Sequence, residues 1–240
     1  AVVHHRLGRS LATIKNYRDA KVALDRAIVL NPRLGAAQRD RIRVENLDKG
    51  ASAAISLTQS MIAAKPKEAT GYAILGDLLF SEKKFAEATV QYQKANDITP
   101  TGQMIPRLYQ SNVRSGKSAD AQKTLTDWLA SHPDDNEIRF LYASSLIAAK
   151  DYKGAISENE KLLQKFPKNA AILNDLAWLY GEVNDKRAIP YAERAHALQP
   201  NSAAIADTLG WLLLNAGQSK ESLPILKDAH EKAPTHPEIG

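Results

Sequence analysis

The residues that come nearest to a known chemical motif are Ser115-Gly116-Lys117-Ser118, which match the end of a phosphate-binding loop. In such a loop, glycine-rich backbone and one lysine hold the phosphates of a nucleotide. The match fails upstream, because Ser111 stands where the first glycine is required and no strand precedes the motif. A turn between two helices accounts for the glycine, so nucleotide binding is not predicted.

The histidines and the paired carboxylates are no better candidates for catalysis or for a metal. His4 and His5 are adjacent, and adjacent residues of a helix point about 100° apart, so they are poorly placed to share one ion. Asp134 and Asp135 follow Pro133 where a new helix is expected to begin, and carboxylates there act as helix caps. We therefore predict a protein that is not an enzyme, with no cofactor and no metal site.

Composition excludes further classes of protein. The 240 residues contain no cysteine, which rules out disulfides and thiolate ligands. No run of about 18 apolar residues occurs, so no membrane span is predicted. Positive charge is concentrated early: residues 1–68 carry 13 Lys and Arg against 6 Asp and Glu, whereas residues 69–240 carry 19 against 21. This asymmetry bears on the charge of a partner rather than on the fold.

The spacing of the prolines predicts the elements that position all of these residues. Seven prolines recur at intervals of 33 or 34 residues: Pro32, Pro66, Pro100, Pro133, Pro167, Pro200 and Pro234. A fixed period in this range is typical of a solenoid, in which each unit stacks on its neighbours. Within residues 69–102, apolar residues recur every three or four positions on both sides of a short polar break, which indicates two amphipathic helices.

Small residues also recur at fixed places in the period. Twelve residues before each proline stand Ala20, Ala54, Ala88, Ala121, Ala155, Ala188 and Ser222, and twenty-four residues before three of them stand Gly8, Gly76 and Gly210. Glycine inside a helix is unfavourable by roughly 1 kcal/mol, so its recurrence predicts close contact between paired helices. In the second unit, Arg41 and Glu45 occupy positions that are apolar elsewhere, and we expect its geometry to deviate.

These residues resemble the tetratricopeptide repeat (TPR) pattern, as in Leu7-Gly8, Tyr17, Ala20 and Pro32, and again from Leu75-Gly76 to Pro100. The resemblance implies an all-α fold, a right-handed α-α superhelical solenoid of about seven helix-turn-helix repeats that forms a single domain over residues 1–240. The repeats would span residues 1–34, 35–68, 69–102, 103–135, 136–169, 170–202 and 203–236. Because the chain begins at Ala1 without a starting methionine, we interpret it as a fragment of a longer protein.

In TPR proteins the first helix of each repeat lines a concave groove, so the resemblance also implies which residues meet a partner. These are Arg6, Arg9, Arg39, Arg43, Arg107, Gln110, Asn174, Asp175, Trp178, Asp207 and Trp211. The function predicted from it is a non-catalytic scaffold that binds a partner protein or an extended peptide. A protein or peptide is the favoured partner, and nucleic acid is not. The arginines leave one alternative open, in which the basic N-terminal half binds a polyanion such as nucleic acid or acidic polysaccharide.

For the tryptophans of this set, and separately for its arginines, two interpretations remain open. Trp178 and Trp211 occupy the same repeat position, and they form either an exposed aromatic patch or part of the core. The arginines form either a basic binding surface or a solvated helix face. Residues 236–240 stop where another helix would begin, which predicts weak self-association through uncapped ends.

A narrower resemblance concerns the segments around Trp128, Trp178 and Trp211, which look like the C-terminal part of TPR proteins of bacterial exosortase/PEP-CTERM systems. Those proteins are similar to envelope lipoproteins tied to exopolysaccharide export. The resemblance implies a periplasmic or outer-membrane-associated protein, with the cytoplasm as the alternative.

Overall fold

The computed structural model describes residues 1–232, and within them it is all-α, as predicted. Predictions that involve Pro234 and residues 236–240 lie outside the described residues. The helices are α1 Val2–Thr13, α2 Tyr17–Leu30, α3 Gly35–Lys49, α4 Ala51–Ala64, α5 Ala69–Ser81, α6 Phe85–Ile98, α7 Ile105–Arg114, α8 Ser118–Ser131, α9 Asn136–Ala148, α10 Tyr152–Lys165, α11 Ala170–Glu182, α12 Ala188–Leu198, α13 Ala203–Asn215 and α14 Ser219–Lys232.

Local sequence explains where many of these helices begin. Side chains of Asn16, Asp135, Asp151 and Asn169 accept hydrogen bonds from backbone N–H groups of the first turns of α2, α9, α10 and α11. Such caps satisfy donors that the helix itself leaves unpaired. The predicted capping role of the carboxylates after Pro133 is therefore confirmed for Asp135, whose Oδ1 lies 3.1 Å from the N–H of Ile138.

The turn between α7 and α8 contains Gly116, with φ at +79°. This is the left-handed region, which glycine enters without steric cost. The glycine of the apparent phosphate-binding motif is thus a turn residue between two helices, and the motif has the backbone of a helix-turn-helix connection.

The recurring small residues lie where paired helices approach most closely. All seven positions of the column that runs from Ala20 to Ser222 are buried. A Cβ atom added at Gly76 would lie 2.5 Å from the ring of Tyr92, and one at Gly8 would lie 2.5 Å from the side chain of Leu24. Real contacts are not this short, so the predicted reason for the glycines is confirmed.

The chain divides into two compact units, residues 1–124 and residues 125–240, with the division inside α8. In the first unit, apolar clusters lie between paired helices, and one of them joins Leu75, Leu79 and Tyr92. In the second unit, the largest cluster joins Leu162, Leu176 and Leu209 with other residues of α9 to α13. That all 240 residues form one solenoid domain stays a prediction.

The second repeat deviates at the charged positions noted in the sequence. Glu45 is buried, with 8% of its side chain exposed, and its carboxylate accepts from Arg41 at 2.9 Å and pairs with Lys49 at 3.2 Å and Lys21 at 3.6 Å. Burial acts to raise the pKa of Glu45, but the hydrogen bonds from Arg41 and Lys49, together with the positive charges of Lys21 and Arg41, outweigh it and lower the pKa overall. An ion cluster between α2 and α3 thus replaces the apolar contact of the other repeats.

A membrane-spanning helix is not found among residues 1–232, where each helix is too short or too polar to cross a bilayer.

Candidate partner-binding surface

The predicted surface residues of the first unit lie on the first helices of its repeats. We call them the arginine surface, which consists of Arg6, Arg9, Arg39, Arg43, Arg107 and Gln110. Arg107 is partly buried and the others are exposed. Arg6 and Arg39 form no ion pair within the described residues, whereas Arg9, Arg43 and Arg107 do.

Asp40 neutralises part of this surface. Its Oδ2 lies 2.7 Å from Nε2 of His5 and 3.7 Å from Nε of Arg9, and its Oδ1 lies 3.1 Å from Nη2 of Arg43. One carboxylate of α3 is therefore surrounded by two cations and an imidazole from α1 and α3. The geometry thus identifies Arg9 and Arg43 as the arginines that Asp40 offsets.

Asp77 on α5 has a similar role. Its Oδ1 accepts from the hydroxyl of Tyr92 at 2.8 Å and from Nε of Arg107 at 3.1 Å. Burial, together with the neighbouring carboxylate of Asp77, raises the pKa of Tyr92 far above its ordinary value, so the hydroxyl remains a donor. Asp77 lies on the first helix of the third repeat, where the TPR resemblance implies groove-lining residues.

The predicted residues of the second unit lie on α11 and α13, which pack against each other. We call them the acidic-aromatic surface, which consists of Asn174, Asp175, Trp178, Asp207 and Trp211. Asp175 precedes Trp178 by three residues and Asp207 precedes Trp211 by four, so each pair shares one face of its helix.

The two tryptophans have different surroundings, which resolves the alternatives that the sequence left open. Trp211 is exposed over 53% of its surface. Trp178 is partly buried, and its ring meets that of Tyr152 edge-on, with 5.5 Å between centroids. Both side chains line one recess of about 580 Å³. Trp178 is thus part of the packing of its unit, while Trp211 offers most of its indole to solvent.

The carboxylates of this surface have no cationic partner within the described residues 1–232. No ion pair or hydrogen bond joins the side chain of Asp175 or of Asp207 to any residue between positions 1 and 232. Asp175 reaches solvent, yet crowding by surrounding protein raises its pKa to about 6, and burial raises the pKa of Asp207 as well. Beside them, Oδ1 of Asn174 is buried without a hydrogen-bond donor.

Trp128, the third tryptophan, has a structural role. Its indole stacks on His132 with 3.7 Å between ring centroids, and its Nε1 donates to Oδ2 of Asp135 at 2.8 Å. These contacts hold the cap of α9 in place. Residues 1–232 contain no group of three His, Cys, Asp or Glu side chains that could hold a metal ion.

Comparison with known proteins defines the class of fold. Residues 110–170 match the family model described as a tetratricopeptide repeat. Over 172 residues, 67% of this chain, the sequence is 25% identical to a TPR repeat-containing protein of Pseudomonas aeruginosa. The match spans 28% of the length of that relative.

Solved structures agree on the architecture. YrrB, a TPR protein with an unusual peptide-binding site, superposes with a TM-score of 0.60 at 14% identity, covering 76% of this chain and 95% of YrrB. MamA superposes with a TM-score of 0.59 at 19% identity, covering 69% of this chain and 92% of MamA. The fold is therefore an all-α repeat superhelix of the TPR type. Proteins with this fold generally serve as scaffolds for protein–protein interaction.

Proposed function

We propose that the chain is a non-catalytic scaffold that binds a protein or an extended peptide on the first helices of its repeats. The observation that carries the proposal is Trp211, whose indole is more than half exposed at the edge of a recess that Trp178 also lines. Large aromatic side chains at such positions are frequent anchors of protein interfaces. The peptide-binding site of YrrB supports a peptide as occupant by analogy of fold.

Affinity capture with a matched variant tests this function. The tagged chain and its Trp211→Ala variant are each incubated with extract of the source organism, and bound proteins are identified by mass spectrometry. We expect at least one protein to be retained by the native chain and lost with the variant. Leu223→Ala is the control, because it removes a similarly exposed apolar side chain from α14, the second helix of its repeat, and leaves Trp211 unchanged. Equal capture by all three chains would contradict the proposal.

A second candidate function is polyanion binding through the arginine surface. Of the five arginines on this surface, three pair with Asp40 or Asp77, whereas Arg6 and Arg39 have no carboxylate partner within residues 1–232. Polyanion binding weakens steeply with salt, because it releases condensed counterions. Titration with a single-stranded oligonucleotide and with polyglutamate should show binding that weakens as the salt concentration rises. The double variant Arg39→Glu with Arg43→Glu should abolish that binding. Binding that ignores salt would contradict this candidate.

The narrower assignment to a bacterial envelope system for exopolysaccharide export is also a proposal, and it rests on the resemblance of the tryptophan segments alone. Deletion of the gene in the source organism should reduce secreted exopolysaccharide, and a plasmid copy should restore it. Unchanged secretion would contradict this assignment and leave the scaffold function standing.

A further inference from the structure

The sixth position of a first helix is an aspartate in both units, but its ion pairing differs between them. Asp40 is the sixth residue of α3, counted from Gly35, and Asp175 is the sixth residue of α11, counted from Ala170. Asp40 contacts His5, Arg9 and Arg43. Asp175 has no cationic partner in the part of the chain that the structure describes. The position that is neutralised internally in one unit therefore remains an open anionic position in the other.

The surroundings of Asp175 repeat the same deficit of donors. Asp207 on the adjacent α13 is also unpaired within residues 1–232, and the buried Oδ1 of Asn174 has no donor. The buried Oδ1 of Asn174 has lost water without gaining a hydrogen bond, which is unfavourable, whereas Asp175 is exposed and Asp207 is partly exposed. Two neighbouring carboxylates on two packed helices, those of Asp175 and Asp207, thus have no donor within residues 1–232, and a ligand could supply one.

The aromatic part of the surface fits the same kind of ligand. The indole of Trp211 is exposed on the helix face that carries Asp207, and tryptophan is the strongest aromatic partner for a cation. The recess that Trp211 lines is also lined by two acidic residues, Glu182 and Asp185, and by one basic residue, Lys186. Of these, Asp185 is already bound to Arg187 at 2.8 Å. The open groups of the surface are therefore mainly carboxylates and indole.

Building on the proposed function, we propose that the acidic-aromatic surface binds a cationic segment of a partner protein. Lysine or arginine side chains of that segment pair with Asp175 and Asp207 and lie against the indole of Trp211. Guanidinium suits this set best, because it carries five donors in a plane that also stacks on an aromatic ring. The surface thereby selects for charge as well as for extended shape.

Labelled peptides and the whole 240-residue chain test the occupant. The probes are fluorescein-labelled dodecapeptides in which alanine alternates with arginine, with glutamine or with glutamate, measured by fluorescence anisotropy at about 150 mM salt. We expect the arginine peptide to bind about tenfold more tightly than the glutamine peptide, and Asp175→Asn with Asp207→Asn to remove that preference. Tryptophan emission should change on binding and lose most of that change in Trp211→Ala.

The matched control removes two charges from the same repeats but from their second helices. Glu193 on α12 and Glu221 on α14 are exposed, and Glu193→Gln with Glu221→Gln should change the affinity less than about twofold. An equal loss in this control would show that only net charge matters, and the proposal would be wrong. Thermal melts of each variant confirm that it is folded before its binding is compared.

The remaining outcomes separate this inference from the scaffold function. If the glutamine peptide binds as tightly as the arginine peptide and Trp211→Ala weakens both, the partner-binding surface stands and its cationic occupant is wrong. If no peptide binds, the cationic occupant is likewise wrong, and the affinity capture with Trp211→Ala decides the scaffold function separately. Concentration-dependent sedimentation abolished by Asp175→Asn would instead identify a second copy of the chain as the occupant.

Discussion

The two units share one repeat design but differ in how they use charge. Residues 1–124 carry 20 Lys and Arg against 11 Asp and Glu, whereas residues 125–240 carry 12 against 16. In the first unit, Asp40 and Asp77 each contact arginine on the first-helix surface. In the second unit, Asp175 and Asp207 have no such partner within residues 1–232. A repeat fold can therefore keep its packing while the first-helix carboxylates Asp40 and Asp77 are paired with arginine and Asp175 and Asp207 have no cationic partner within residues 1–232.

The difference concerns surface carboxylates, because each unit also has a buried carboxylate that is paired, and in the second unit Glu158 pairs with Arg139 and Lys161. Glu45 takes an apolar position of the second repeat, but three basic side chains surround it. The open carboxylates of the second unit lie on helices whose opposite faces are strongly apolar, as in α11, where Leu173, Leu176 and Leu179 are buried. Packing thus holds Asp175 in place without neutralising it.

The largest expected effect tests whether the two units are separate in stability as well as in charge. Gly76→Val would place side-chain atoms against the ring of Tyr92, and we expect it to destabilise the first unit by about 3 kcal/mol. Amide hydrogen exchange should lose protection in α5 and α6 and keep it in α11 to α14. Gly35→Ala is the control, because its Cβ meets only ordinary contacts at 3.7 Å. Equal loss of protection in both units would contradict the claim that the two units are separate in stability.

The buried ion cluster of the first unit should give the next largest effect. Glu45→Gln keeps the volume but leaves Arg41, Lys21 and Lys49 without their carboxylate, so we expect a loss of about 2 kcal/mol in unfolding free energy at pH 7. Because the folded pKa of Glu45 is lowered, this stabilisation exists above the ordinary pKa of 4.5 and is lost as the pH falls through the folded value.

Urea unfolding of native and Glu45→Gln chains across a pH series measures this effect, with Glu193→Gln as an exposed control. The gap between the native chain and Glu45→Gln should narrow below pH 4.5. A gap that is constant with pH would mean that the charge of Glu45 does not contribute.

Asp40→Asn should have a smaller effect, since Arg9 and Arg43 are largely exposed. We expect about 1 kcal/mol of destabilisation from the uncompensated cations. Because the variant makes the arginine surface more basic, it should also bind polyglutamate more tightly than the native chain at low salt. Unchanged stability and unchanged polyglutamate binding in calorimetry would show that Asp40 does not neutralise this surface.

Asp175→Asn should have the smallest effect on stability and the opposite sign. The raised pKa of about 6 means that ionisation of Asp175 opposes folding, so native stability is highest below the ordinary value of 3.8 and falls as the pH rises through about 6. Since Asp175 is open to solvent, we expect the variant to gain less than about 1 kcal/mol at pH 7.5. Melting curves at pH 7.5 and 3.5 measure the gain, which should vanish at the lower pH. A destabilised variant would contradict the comparison with Asp40.

The sequence by itself predicted the helices and the contacts that repeat with them. Apolar residues at steps of three and four, a small residue in every repeat and a proline after every second helix are local signals, because each depends on the geometry of one helix or of one helix pair. The buried positions from Ala20 to Ser222 and the close approach at Gly8 and Gly76 were accordingly predictable.

Only the tertiary structure decided which charges are balanced and which tryptophan is exposed. His5 meets Asp40 across 35 residues and Arg107 meets Asp77 across 30, so each pairing depends on which side chains adjacent repeats bring together. Trp178 and Trp211 share a repeat position, yet Tyr152 from the preceding repeat packs against Trp178. A period specifies where a residue stands on its helix, whereas its neighbours in space come from other repeats, and those neighbours determine its burial, its charge balance and its availability to a partner.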